Sequence, residues 1–254
     1  MIPKKIHYCW FGGKELPDLA LKCIESWKKH FPDYEIIEWN ENNFDLNFNR
    51  YAKEAYDSGK YAFFTDVARL YLVYEHGGIY FDVDVEVIKD FDEVLKNKAF
   101  FGLESTGKVN TGLGFGAEKH NPFIKKLLDD YTEKKFIQEN GDLDLTPCPI
   151  INSKIFKENN FSLNGEYENI GGVAVYPKSV FNPKGGYGEE IVLTKKTLSI
   201  HHFDGSWLSK EELKRANKFT SLRNKYGAKT AKILFNSIYI PYRLISKLKE
   251  KNKK

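Results

Sequence analysis

Apolar residues return along this chain with two different periods. Ile6-His7-Tyr8-Cys9-Trp10-Phe11 is a short apolar run stopped by Gly12-Gly13, which predicts a first, central strand and a tight loop. From Asp18 to Phe31 the apolar residues Leu19, Cys23, Ile24, Trp27 and Phe31 keep helical spacing, and Pro32 ends the run. Residues 34–39 read as a second strand, closed by Asn40-Glu41-Asn42. Strand, helix, strand in that order predicts a parallel sheet and an α/β fold. Helices are predicted over 47–57 and 60–76; on the second, Phe63, Phe64, Val67, Leu70, Tyr71, Val73 and Tyr74 cover a wide face, and Gly77 stands where a C-terminal cap belongs.

The stretch that follows organises the rest. Gly77 to Val87 reads as a turn and then a strand, with Tyr80, Asp82, Asp84 and Glu86 on one face and Phe81, Val83, Val85 and Val87 on the other. Beyond it, strands are predicted at 100–104, 173–176 and 199–203, and helices at 122–136 and 152–158. The glycine-rich segment 110–117 is predicted to be a strand that approaches a ligand closely. Segments 146–149 and 179–190 read as loops, and the chain shows no internal repeat or low-complexity linker.

Composition narrows the class. The 254 residues suffice for one large α/β domain or two small ones. Hydrophobic residues at 41% and charged residues at 29% are ordinary for a globular protein, while aromatics at 15% favour strands and a site that stacks planar rings. The net charge of +4 is unevenly spread: residues 210–254 carry +11 and the rest −7, an acidic body with a basic tail. Apolar residues recur near helical spacing in that tail, and Pro241 interrupts them. Two readings stay open for it: a helical subdomain with a solvated basic face, or an amphipathic segment resting on an anionic membrane. The three cysteines lack metal-type spacing and read as reduced thiols of a cytoplasmic protein. No signal peptide and no run of about twenty apolar residues is seen, so a soluble or peripheral protein is expected.

Several residues then call for chemistry. Two carboxylates at the end of a buried strand are costly unless they are paired or hold a cation through hard oxygen ligands; the plain alternative is a solvated strand end. Asp66 and Arg69 are three apart on a helix and share a face, either as a surface pair or as a grip on sugar hydroxyls. In a strand, His201 and His202 point to opposite faces, so one can serve the core while the other meets the acids; an imidazole beside carboxylates suits manganese. Trp10, just before two glycines, is either core packing or a platform for a flat base.

Taken in order, residues 2–13, Asp66-Val67-Ala68-Arg69 running into Gly77-Gly78-Ile79-Tyr80-Phe81-Asp82-Val83-Asp84, and His201-His202 to Ser206-Trp207 resemble glycosyltransferase family 32. That family includes bacterial capsular and lipopolysaccharide glycosyltransferases and fungal initiating mannosyltransferases, with clostridial toxin glucosyltransferase domains as more distant relatives. The resemblance implies a GT-A type, Rossmann-like mixed sheet flanked by helices over 1–208, followed by a basic helical segment at 209–254. It implies Mn²⁺ or Mg²⁺, a nucleotide-diphosphate-sugar donor, retention of configuration, and a saccharide or lipid-linked saccharide acceptor in surface polysaccharide synthesis. Carried onto this chain, Trp10 stacks on the donor base, Asp66 and Arg69 hold the donor sugar, and Tyr80 and Asn110 lie near it. Asp82 and Asp84 take the metal with His202 as third ligand, and Ser206 and Trp207 close over the diphosphate. Where relatives often carry Thr-Gly-Pro, this chain has Thr146-Pro147-Cys148-Pro149. UDP-linked hexoses are favoured over GDP-mannose.

Other classes fit less well. A haloacid-type phosphatase needs a threonine after its aspartates, where Val85-Glu86 stands. A nucleotidyltransferase leaves Asp66, Arg69 and His202 without a role. A non-catalytic binding homologue is expected to lose an acid or the histidine, and none is missing. Nucleic-acid binding finds no aromatic-interleaved motif on an acidic body.

Overall fold

The computed structural model describes residues 1–184, 190–205, 210–227, 230, 231 and 233–235. The chain divides into two compact units, Met1–Gly185 with Ile191–His202, and Gly186–Glu190 with Phe203–Lys254.

The first unit is mixed α/β. Strands β1 (Lys5–Cys9) and β2 (Glu35–Trp39) flank helix α1 (Asp18–His30); helices α2 (Arg50–Asp57) and α3 (Tyr61–His76) lead into β3 (Gly78–Tyr80). Strand β4 (Val85–Val87) follows, then β5 (Ala99–Gly102), a single 3₁₀ turn at Thr111–Leu113, and β6 (Phe115–Ala117). Helices α4 (Pro122–Asp129) and α5 (Cys148–Glu158), strands β7 (Glu168–Ile170) and β8 (Val173–Tyr176), the short α6 (Lys178–Phe181) and β9 (Ser199–His201) complete it. Seven strands form one sheet in the order β2-β1-β3-β6-β5-β8-β7, while β4 and β9 make a separate two-stranded ribbon. Strand β1 is parallel to both β2 and β3, and β6 runs antiparallel to β3 and β5.

Alternation divides the core. Tyr8 and Phe81 point toward α1, where Trp27 lies 5.7 Å and 5.4 Å from their rings. Cys9 and Tyr80 point the other way, into a cluster with Phe64, Val67 and Leu70 of α3. Phe100 and Phe101 repeat this division on β5, two strands along the sheet from β3, Phe100 beside Phe91 and Phe101 beside Phe115 and Phe156.

The expected mixed sheet and its flanking helices are present, with local differences. The predicted strand from Gly77 to Val87 is broken in the middle. Burial does alternate from Phe81 to Val87, but Val85 N–H donates to Asp82 O at 3.0 Å, so the D-x-D triplet sits in a turn between β3 and β4. The 110–117 segment is a 3₁₀ turn before β6 rather than one strand. Helix α4 stops at Asp129, and Phe136 is buried from a loop beyond it. Helix α5 starts at Cys148, because prolines fit a first turn whose N–H groups have no helical partner.

In the second unit, α7 (Lys210–Tyr226) is helical and Phe219 meets Phe235 edge-on at 5.1 Å. Among the described residues, no helix is long and apolar enough to cross a membrane.

Candidate metal and donor site

From β1 the chain passes to one side for β2 and returns on the other for β3. Loops leaving adjacent strands in opposite directions open a crevice at the strands' carboxyl ends, which is where ligands gather in open α/β sheets. Trp10 leaves β1 at that end, and the Asp82–Asp84 turn leaves β3 beside it.

The loop after Trp10 is pinned. Trp10 Nε1–H donates to Lys14 O at 2.6 Å, and Gly12 N–H donates to Glu41 Oε1 at 2.6 Å, an oxygen that also accepts from Tyr56 at 2.9 Å. Gly12 holds φ at +97°, and a Cβ there would strike the Tyr61 ring, so the position requires glycine.

Arg69 is the hub of the site. Its side chain is only 4% exposed and reaches three acceptors. Nη2 pairs with Asp66 one turn back on α3 and donates to Cys148 Sγ at 3.3 Å; Nη1 donates to Asp82 Oδ1 at 3.1 Å. Tyr80 O–H donates to the same Asp82 oxygen at 3.0 Å. Burial pulls the guanidinium pKa down, but Cys148, Asp82 and Tyr80 outweigh this and raise it. Burial raises the Asp82 pKa and the charge of Asp84 adds to that, while Arg69, His201 and the Tyr80 hydrogen bond oppose it.

The 111–113 turn presses on this hub. Asn110 Oδ1 accepts from Gly112 N–H at 2.8 Å, and Asn110 Nδ2 donates to Glu104 at 3.1 Å. A Cβ at Gly112 would overlap Asp82 Oδ2 and crowd Arg69 Nη1. The glycine therefore lets the backbone approach the acid itself.

The histidines are placed differently from expectation. His201 Nε2 lies 3.1 Å from Asp84 Oδ1, and His202 Nε2 lies 2.8 Å from Glu86 Oε2, which also accepts from Lys22 at 3.2 Å. The ribbon register explains this. His201 stands opposite Val85, so Glu86 and His202 share the other face; Asp84, still tied to the ribbon by His202 N–H donating to its carbonyl at 2.9 Å, sits in the turn and brings its carboxylate to His201. His202, expected beside Asp82 and Asp84, is instead on a separate carboxylate. Burial lowers the His201 pKa, and the charge and hydrogen bond of Asp84 together with the charge of Asp82 raise it overall. Ser206 and Trp207 lie outside the described residues.

Asp82, Asp84 and His201 bring one ligand atom each to within 4.8 Å of one another. Two carboxylates and an imidazole form a donor set that fits a manganese-like divalent cation. Asp66 and Arg69 adjoin the set through Asp82, and Tyr80 and Asn110 lie around it. Gly112 and Cys148 were not singled out for this site, and His201 stood as the alternative to His202. The Asn110-x-Gly112 pair, a cap followed by a residue without a side chain, was the available signal for the first.

Residues 17–101 match the family described as the glycosyltransferase sugar-binding region containing a DXD motif. Inositol phosphoceramide mannosyltransferase 3 of Schizosaccharomyces pombe is 31% identical over 132 residues, which are 50% of this chain and 36% of that protein. An uncharacterized glycosyltransferase of Acanthamoeba polyphaga mimivirus is 29% identical over 168 residues, 62% of this chain and 64% of the relative. The chain thus spans between 36% and 64% of the length of these relatives. Among solved structures, the PaToxG glycosyltransferase superposes with a TM-score of 0.48 at 18% identity, covering 63% of this chain and 69% of that one.

Proposed function

We propose that this chain is a metal-dependent, retaining glycosyltransferase that moves a hexose from a nucleotide-diphosphate sugar to a saccharide or lipid-linked saccharide acceptor in surface polysaccharide synthesis. The observation that carries the reading is the convergence of Asp82, Asp84 and His201 beside the pair of Asp66 and the buried Arg69, at the crevice beyond β1 and β3. Asp82, Asp84 and His201 would hold Mn²⁺ or Mg²⁺, which when bound supplies positive charge against the departing diphosphate. His201 replaces His202 in this assignment because it is the histidine that reaches Asp84.

Arg69 holds Asp66 and Asp82 in fixed orientation, so Asp66 can accept hydrogen bonds from donor-sugar hydroxyls without rearranging. That same pairing argues against Asp66 as a free nucleophile and favours front-face attack, in which the leaving phosphate takes the acceptor proton. Trp10 at the end of β1 is the proposed platform for the donor base. UDP-linked hexoses are the preferred donors. Because a matching relative bears the name of a mannosyltransferase acting on inositol phosphoceramide, nucleotide-linked mannose stands beside them.

The test is a panel of UDP- and GDP-linked sugars incubated with the protein and Mn²⁺, scored for slow donor hydrolysis. One donor class should be hydrolysed, with activity lost in EDTA and in Asp84→Ala. Absence of both binding and hydrolysis for every donor would refute the transferase reading.

A further inference from the structure

We propose that Cys148 is a positioning residue for Arg69, fixing the guanidinium on Asp66 and Asp82 through its sulfur. The catalytic consequence rests on the transferase reading above; the link between the two residues does not.

Arg69 carries five N–H donors and is almost wholly buried, so each acceptor within reach matters to where it sits. Nη1 is taken up by Asp82 and Nη2 is divided between Asp66 and Cys148 Sγ, while Nε has no hydrogen-bond partner among the described residues. The sulfur is thus the acceptor that is not a carboxylate, and it approaches from a different element. The two acids come from α3 and the β3–β4 turn, whereas Cys148 opens α5. A planar fork held from three directions has little freedom to tilt.

Cys148 is itself held. It is 6% exposed and lies between Pro147 and Pro149, whose rings fix the backbone on both sides. Thr111 Oγ1 lies 3.9 Å from the sulfur, and Asn152, one turn further along α5, donates to Thr111 Oγ1 at 3.3 Å. Thr111 adjoins Gly112, which touches Asp82. Arg69, Cys148, Thr111, Gly112 and Asp82 therefore follow one another in a closed series of neighbours. Burial raises the thiol pKa, and the charge and hydrogen bond of Arg69 oppose it.

Serine and alanine at position 148 separate orientation from packing, because they differ by one hydroxyl. Cys148→Ser should keep donor-hydrolysis kcat within about threefold of the parent, and Cys148→Ala should lose at least about tenfold in kcat with a smaller change in donor KM. Cys148→Ser should also melt above Cys148→Ala, and this gap should vanish in an Arg69→Met background. If Arg69→Met does not fold, a crystal structure of Cys148→Ala replaces that arm and should show the guanidinium moved off Asp82. Equal melting and equal kinetics for the serine and alanine variants would reduce Cys148 to packing and overturn the proposal. So would an undiminished gap without Arg69, or an unmoved guanidinium in Cys148→Ala. If no donor is hydrolysed by any variant, the transferase reading fails while the melting comparison still decides the Cys148–Arg69 link.

Discussion

Acidification should unfold this protein partly through one residue of its first strand. His7 is fully buried in β1. Its Nε2 lies 2.8 Å from Gly77 O, and Trp39 Nε1–H points at its Nδ1 from 3.1 Å. An indole nitrogen can only donate, so Nδ1 must accept and the proton must sit on Nε2. A second proton would set two N–H groups against each other. Burial is the largest cause of the resulting shift, His76 and Lys5 add to it, and the Gly77 carbonyl opposes it; together they lower the pKa from 6.5 to about 4. The folded state thus favours the neutral form. The contribution is complete above the unfolded value of 6.5 and is lost as pH falls toward 4. At about 1.4 kcal/mol per pH unit, the full shift amounts to about 3 kcal/mol, or roughly 6–12 °C in Tm for a chain of this size. Urea unfolding at pH steps from 7.5 to 4.5, compared with His7→Gln, measures it. The variant should start less stable and lose stability less steeply. Identical slopes, or an imidazole resonance titrating near 6.5 in the folded protein, would refute the reasoning.

Two further outcomes concern the site. Calorimetric titration with Mn²⁺ should show Asp84→Ala and His201→Ala weakening binding at least about tenfold, while His202→Ala stays within about threefold; a larger loss for His202 would return the ligand to the position expected from sequence. Gly112→Ala should cost about 1–3 kcal/mol and weaken Mn²⁺ binding, because its methyl displaces the Asp82 carboxylate; a variant with parental Tm and affinity would show that the turn yields freely.

What could be read from sequence follows physical strength of signal. β1, α1, β2 and α3 carry long periodic patterns bounded by Gly or Pro, and their ends fall within a few residues of expectation. The D-x-D segment misled because its burial alternates as a strand would while its hydrogen bonding does not. Burial pattern is visible in sequence; a turn such as Asp82 to Val85 that preserves the pattern is not. Strand β7 gave no signal, since Ile170 is exposed and nothing alternates. Asp66, Arg69, Asp82 and Asp84 were legible as a group through the motif order. The choice between His201 and His202 depended on a ribbon register that only pairing with β4 sets. Cys148 and Gly112 act through contacts across 79 and 30 positions of chain, beyond any local pattern.

The β4–β9 ribbon is not a rung of the main sheet. Its free edge is taken by α1, where Trp27 donates to Val85 O at 2.7 Å and Ser26 Oγ accepts from Val87 N–H at 2.9 Å. Asp82 therefore belongs mechanically to the sheet and α3, while Asp84 and His201 ride on a strip fastened to a different helix. An ion shared by all three would act as a rivet between two plates, and the two residues separating Asp82 from Val85 are the seam it closes. The site would then be tuned by how far α1 lets that strip swing, which gives a helix with no residue in the donor crevice a hand on the chemistry.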